Sequence, residues 1–408
     1  MKKLKMVLVA LVIIAIVATV AVTLVSCSGN KGTVTIGLIT LHDASSTYDK
    51  NFIDALEVAK KELKSEGYNV KTIVKSGIPE SNACYEAAAD LVDQGCSIIF
   101  ADSFGHEDYM IKAAKEFTNV TFCHATGTKA HTEKLANYHN PFASIYEGRY
   151  LAGVAAGMKL AALYGEGNGA NVSDSNAKVG YVGAFTYAEV ISGYTSWFLG
   201  VQSIVPNATM EVKFTGSWYD PTAEKEAAEA LITNGAKLVS QHADSMGAPS
   251  ACEEKNIPNV TYNVSKKDDC PNTYIVASRI NWAPYYKTIV KAVLAGEEIA
   301  YDYTGTLATG SVEVLEVGTA AAAGTSEKIA EVKAKLISGE LKIFDTSKFT
   351  VGGAHITTFM ADVDDYGDFV GDKEVVEDGV VVESKYRSAP YFNLQIDGIT
   401  LLNTAFGD

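Results

Sequence analysis

Two successive series of alternating strand and helix patterns constrain this chain more than any other feature. From residue 33, short β-branched runs at 34–40, 70–74, 98–101 and 120–124 are separated by longer amphipathic runs at about 50–66, 82–94 and 107–117. In the first of these, Phe52, Leu56, Ala59 and Leu63 fall on one helical face, and Glu57, Lys60, Lys61 and Lys64 on the other. The strand runs lack polar alternation, as expected where helices cover both faces of a sheet. The rhythm then restarts, with strands at 179–182, 210–214, 238–241, 260–262 and 274–277 and helices at about 188–204, 222–234, 247–256 and 284–296. A helix at about 144–163 and a Gly/Asn/Ser-rich loop at 165–176 lie between the two series. Repeated βα units imply parallel strands with right-handed crossovers. The expected fold is therefore α/β, two doubly wound parallel-sheet lobes joined by a hinge. Lobe one is assigned 33–145 and 281–305, and lobe two 146–280 and 306–408. The last hundred residues read differently: a strand at 311–317, a helix at 326–337 and a hairpin at 375–383 turning at Asp378-Gly379. This tail is expected to decorate one lobe.

The N-terminus is expected to be an export segment. Lys2, Lys3 and Lys5 precede an uncharged run over 6–25, which ends at Leu24-Val25-Ser26-Cys27. A basic start, an apolar run and small residues at its end define a secretory signal, and a Cys at this place is the lipobox pattern. Residues 1–26 then form the signal peptide, Cys27 is acylated, and 27–32 form a polar tether. The run is also long enough to span a bilayer as an anchor. Either way, the remaining chain lies outside the cytoplasmic membrane. The formal net charge is −15, which repels phosphate backbones and anionic lipid, so nucleic acid and peripheral membrane binding are excluded as functions. Of six cysteines, five follow Cys27: Cys84, Cys96, Cys123, Cys252 and Cys270. They show no CxxC pair and no zinc spacing. Buried free thiols are one reading; a single Cys252–Cys270 disulfide is the other.

Doubly wound sheets bind ligands beyond the carboxyl ends of their strands, so the loops after strands carry the chemistry. In the first series these loops hold Tyr48 and Asp49, then Phe104, then Thr126. In the second they hold Tyr187, Trp218, His242 with Asp244, and finally Asn281 with Trp282. Aromatic rings, carboxylates and small residues recur in them. That composition suits a flat heterocycle bearing N–H and O–H donors, since an aromatic stack is worth about 1–3 kcal/mol per base and a carboxylate accepts donors with charge assistance. His106-Glu107-Asp108 and the set His124, His131 and His139 contain metal-capable groups but no spacing that fixes a site, so no metal and no cofactor are expected. His42 and His242 could serve as general bases, yet no nucleophile motif such as GxSxG accompanies them. Gly165-Glu166-Gly167-Asn168-Gly169 follows no strand and reads as a flexible loop.

Several of these stretches together resemble the basic membrane protein family, the substrate-binding lipoproteins of ABC importers. They are Phe104-Gly105-His106-Glu107-Asp108-Tyr109, His124-Ala125-Thr126-Gly127, Ile145-Tyr146-Glu147-Gly148-Arg149-Tyr150, Ser217-Trp218-Tyr219-Asp220, Gln241-His242-Ala243-Asp244-Ser245 and Ile280-Asn281-Trp282-Ala283-Pro284-Tyr285-Tyr286. The resemblance spans roughly 33–345 and implies a type I periplasmic-binding-protein fold that closes on its ligand. It implies capture of a purine nucleoside or nucleobase, without catalysis, by a monomer that hands its ligand to separate permease and ATPase subunits. Contact with the membrane would then be through the lipid anchor alone. Nucleoside-binding members carry an Asp-Lys-Ser-Phe-Asn motif, and this chain has Asp49-Lys50-Asn51-Phe52-Ile53, so Asp49 and Phe52 carry over and the last residue does not. Those members also carry a Lys in the last hinge loop, where this chain has Asn281-Trp282. The Trp-Tyr-Asp and His-Ala-Asp-Ser loops look more like a branch associated with adenine-type bases, so base and nucleoside both stand. The candidate ligand residues are Tyr48, Asp49, Phe52, Phe104, Tyr187, Trp218, His242, Asp244, Asn281 and Trp282. Rival ligands are riboflavin or a sugar. A rival activity is extracellular nucleoside hydrolysis through His242 and Asp244, against which stands the lack of a dense Asp cluster.

Overall fold

The computed structural model describes residues 31–363 and 372–406. The expected signal peptide, Cys27 and most of the tether lie outside the described residues. The first sheet contains β1 (Thr33–Ile39), β2 (Asn69–Lys75), β3 (Ile98–Ala101), β4 (Thr121–His124) and β5 (Tyr138–Ala143). The second contains β6 (Lys178–Gly183), β7 (Thr209–Phe214), β8 (Val239–His242), β9 (Asn259–Tyr262) and β10 (Tyr274–Ile280). β11 (Asp302–Gly305) returns to the first sheet, and β12 (Val312–Val314) to the second. The first sheet has the order β11-β5-β4-β3-β1-β2, parallel throughout. The second runs β12-β10-β9-β8-β6-β7 and ends on the strand Ile399–Leu401, with only β12 antiparallel.

The helices lie where the amphipathic runs put them: α1 (Thr47–Ser65), α2 (Asn82–Asp93), α3 (Glu107–Glu116), α4 (Ile145–Tyr164), α5 (Ala188–Gln202), α6 (Pro221–Thr233), α7 (Gly247–Lys255), α8 (Ala283–Ala295) and α9 (Thr325–Ser338). Side-chain caps set several starts. Ser46 accepts from Asp49 N at α1, and Asp220 accepts from Thr222 N and Ala223 N at α6, with Pro221 in the first turn. α4 and α5 are apolar almost all round and form the interior of the second half, as a helix without a wet face must. Gly153 and Gly200 allow their close approach, because a side chain at either would collide with the backbone carbonyl of Trp197 or Tyr150. Among the described residues, no helix is long and apolar enough to cross a membrane.

Before the C-terminal tail, among the described residues, the chain passes between the sheets at 143–145, 280–283 and 305–312. These crossings are bonded to one another. Ser144 N donates to Gly305 O at 2.8 Å, and Asn281 N to Ser311 O at 2.8 Å. The Asn281 side-chain amide donates to Gly310 O and to the Glu313 carboxylate.

Three features depart from the sequence reading. β5 was not anticipated, because Tyr138-His139-Asn140-Pro141 reads as polar and proline-broken; Pro141 is accommodated between two parallel neighbours. The tail touches both sheets rather than one. Ser388 donates through its backbone to Asp302 and through its hydroxyl to Asn140 O, both at 2.7 Å, while Ile399–Leu401 extends the second sheet beside β7. The five cysteines after Cys27 are all free and buried, so the Cys252–Cys270 disulfide is absent; the Cys270 thiol donates to Pro249 O instead. Burial holds Cys96 and Cys270 up at about 11. The hairpin does form, as Val376–Glu377 against Val380–Val381, with Asp378 and Gly379 both at positive φ.

Candidate functional site

Both sheets reverse their strand order at one place, between β1 and β3 and between β6 and β8. The crevice at such a switch point is where a doubly wound sheet binds its ligand. The two crevices face each other. Between them lies a narrow cavity. From the first sheet it is lined by Leu41, His42, Tyr48, Asp49, Ser103, Phe104 and Thr126, and from the second by Glu189, Trp218, His242 and Asp244. The two walls also touch directly. Thr47 N donates to Asp244 O at 2.9 Å, Phe104 stacks on Tyr187 with centroids 5.5 Å apart, and His42 lies 5.4 Å from Tyr219.

Hydrogen bonds hold the first wall rigid. Asp49, almost fully buried, accepts from His42 N at 2.8 Å. Burial pushes its carboxyl up, but hydrogen bonds from His42 and Ser46 outweigh this and leave it below its usual range. Asp102 accepts from Leu41 N through one oxygen. Burial, then the nearby Asp49, raise Asp102 well above the ordinary range. The Tyr48 hydroxyl donates to Asp102 O at 2.9 Å. Thr126 is held in a left-handed conformation, φ 62°, at the rim.

The second wall is aromatic. Trp218 packs edge-on to Phe185 at 5.1 Å and lies near Tyr187 and His242. His242 is buried, with Nε2 3.4 Å from the Glu189 carboxylate. Burial lowers its basicity more than Glu189 restores it. Behind it, the fully buried Arg149 guanidinium lies 3.4 Å over the Tyr262 ring and donates to Gln241 O at 3.0 Å. Asp244 lies 5% exposed with no hydrogen-bond partner for its carboxylate among the described residues. Burial, followed by repulsion from Glu224, Asp49 and Glu189, raises it well above the usual carboxylate range.

Six of the ten residues expected at the ligand meet here: Tyr48, Asp49, Phe104, Trp218, His242 and Asp244. Tyr187 lines an adjoining space. Phe52, Asn281 and Trp282 line neither. Phe52 and Trp282 stack on each other at 4.4 Å inside the first core, and Asn281 ties the crossings together. Glu189 was missed, although it stands two residues after the loop that follows β6. Of the metal-capable residues, His106 and His124 bond backbone carbonyls and are held neutral by burial at about 4, and Glu107 receives the N–H groups of Thr128 and Lys129. Among the described residues, no group of three or more His, Cys, Asp or Glu could hold a metal ion.

The Bmp family model, described as ABC transporter substrate-binding protein PnrA-like, matches residues 36–347. The chain belongs to this family. It is 31% identical over 287 residues to a purine-binding protein of Brucella abortus (strain 2308), covering 70% of this chain and 77% of that protein. It is 29% identical over 252 residues to a Haloferax volcanii protein that carries the provisional name of an ABC transporter glucose-binding protein, covering 62% of this chain and 60% of that one. A solved solute-binding protein of an ABC transporter system from Conexibacter woesei superposes with a TM-score of 0.60 at 19% identity, over 76% of this chain and 98% of that one. The fold is thus that of type I periplasmic binding proteins. Members of the Bmp family are substrate-binding proteins of ABC transporters, which places their work outside the cytoplasm.

Proposed function

We propose that the protein captures a purine base or nucleoside for an ABC importer. The observation that carries this reading is the make-up of the switch-point cavity. Aromatic rings stand on both sides, the carboxylates of Asp49, Glu189 and Asp244 face inward, and no Lys or Arg lines it. Such a site accepts hydrogen bonds and repels anions, so it favours a flat, neutral, donor-rich ring system over a phosphorylated or carboxylated one. The Brucella relative's purine-binding name agrees with it. We further propose that the protein acts as a monomer, held at the membrane by a lipid on Cys27.

The experiment is a thermal-shift panel of adenine, adenosine, guanosine, riboflavin, ribose and glucose. A ligand at about 100 times its dissociation constant adds roughly 2.7 kcal/mol to stability. A shift with purines and none with glucose supports the reading; the Haloferax relative's glucose-binding name gives the opposite result its meaning. Replacing Trp218 with Ala is then expected to weaken purine binding by about 1–3 kcal/mol, the range for losing one stack, which is roughly 5- to 150-fold.

A further inference from the structure

Arg149 projects from α4 into the interior behind His242 and is fully buried. Its guanidinium donates through Nη1 to Gln241 O and lies over the Tyr262 ring. Among the described residues, neither its Nε nor its Nη2 has a hydrogen-bond partner, and His242 Nδ1 is likewise without one. Arg149 Nε and His242 Nδ1 face the same spot beside α5, because a side chain at Gly193 would place its Cβ 3.1 Å from His242 Nδ1 and 3.7 Å from Arg149 Nε. The other nitrogen of the imidazole is turned to Glu189, whose carboxylate lies 3.4 Å from Nε2. A guanidinium sealed from water costs stability unless charge nearby answers it. The charge of Arg149 is felt at His242 and Asp244, both of which line the ligand cavity.

We propose that Arg149 is a positioning residue for the ligand site: it fixes His242 as the neutral tautomer protonated on Nε2, and through that N–H it keeps the Glu189 carboxylate in place at the cavity. The inference rests on the reading of that cavity as the purine site. Glu189 only accepts, so the nitrogen beside it carries the proton. The guanidinium only donates and is positive, so the nitrogen on its side keeps its lone pair. A second proton on the ring would sit against this cation. It would also bind the Glu189 charge into an internal ion pair and take from the ligand an acceptor for its N–H donors. The charged and titratable groups around the ring are Glu189 from α5, Arg149 from α4, Tyr262 from β9, Tyr181 from β6 and Asp244 from its own loop, with Asp49 across the cavity. Of these only Arg149 is cationic. Both tyrosines stay neutral, since burial pushes Tyr181 up to about 12 and Tyr262 higher still. Burial lowers the basicity of His242, Glu189 raises it and Arg149 lowers it again, so loss of Arg149 leaves the carboxylates to favour the imidazolium.

The test begins with the full mature chain free of ligand. Heteronuclear NMR of its imidazole nitrogens, with His242 assigned by the signal that His242→Gln removes, is expected to show Nε2 protonated and Nδ1 bare at neutral pH. Arg149→Met is expected to raise the His242 titration into the range of an ordinary histidine, about pH 5–8. Arg149→Lys, which keeps the charge, is expected to leave it below that range. Calorimetric titration with adenine then reads the consequence, in an Asp244→Asn background so that this carboxyl adds no titration of its own. There, Arg149→Met is expected to lose about tenfold in affinity for each pH unit below its new His242 value, and Arg149→Lys to follow the chain with Arg149 intact. His242 protonated on Nδ1 in the unsubstituted protein, or doubly protonated at neutral pH, would overturn the proposal, and that measurement stands even if no Arg149 variant folds. Met and Lys variants with the same His242 titration would also overturn it, as the pattern of a packing role. Adenine left unbound by the unsubstituted chain would overturn the purine reading instead, while the NMR result, obtained without ligand, would still decide the role of Arg149.

Discussion

Replacing Asp244 with Asn separates binding from stability at a single atom. The side chain keeps its shape, the backbone N–H to Trp218 O stays, and so does the bond from Thr47 to Asp244 O. The charge is lost, and one acceptor oxygen becomes an NH2 donor. In the ligand-free protein this carboxyl is raised above the ordinary Asp range, first by burial and then by Glu224, Asp49 and Glu189. A group raised on folding contributes stability that is complete below its unfolded value, about 3.9 for Asp, and is lost as pH rises through the folded value. Above its unfolded value, Asp244 therefore destabilises the empty protein, and Asp244→Asn should melt higher. Binding should change in the opposite sense. A hydrogen bond to a charged acceptor contributes about 1.5–3 kcal/mol, so the variant should lose roughly 10- to 150-fold in purine affinity. Because the ligand prefers the ionised carboxylate, the parent should bind more tightly as pH rises through the raised titration of Asp244, and the variant should lose that slope. Calorimetric titration across this range, beside melting curves without ligand, reads both effects. A variant that binds like the parent at every pH, or that melts lower when empty, would refute the reasoning.

Two further outcomes follow from the packing and the N-terminus. Trp282→Ala removes a 2% exposed ring stacked on Phe52 and edge-on to Phe100; denaturant unfolding should show a loss of about 3–5 kcal/mol, with unchanged ligand affinity in the folded fraction. Cys27→Ala should abolish incorporation of radiolabelled fatty acid in growing cells, and undiminished label on the variant would dismiss the lipid anchor.

Periodicity carried most of the fold. Among the described residues, each helix and strand run of the two series is present, because burial of those side chains is what stabilises it. β5 escaped because its side chains are buried while polar: Asn140 satisfies its amide through His124 O, the Tyr138 hydroxyl and Ala130 N, partners that only the folded chain brings together. The same limit separates the two tryptophans. Trp218 and Trp282 both follow strands, and nothing local says which ring turns toward the cavity and which toward Phe52. Residue type located the loops around the site. Their inward and outward faces are set by neighbours distant in sequence.

The late arrival of two edge strands bears on how such a chain is made. β5 gains its neighbour β11 only after the whole second βα series has been synthesised, and β7 gains Ile399–Leu401 only at the end. Until then each sheet has an open edge and an incomplete core. Pairing over such long separations is slow to form, and domains tend to fold as units when their last element is available. A polypeptide that works outside the cytoplasm must cross a membrane, and late pairing at its sheet edges favours a chain that is still unfolded during that passage. The same order of assembly leaves a nascent chain truncated before residue 399 with β7 exposed as an unpaired edge, a template for aggregation.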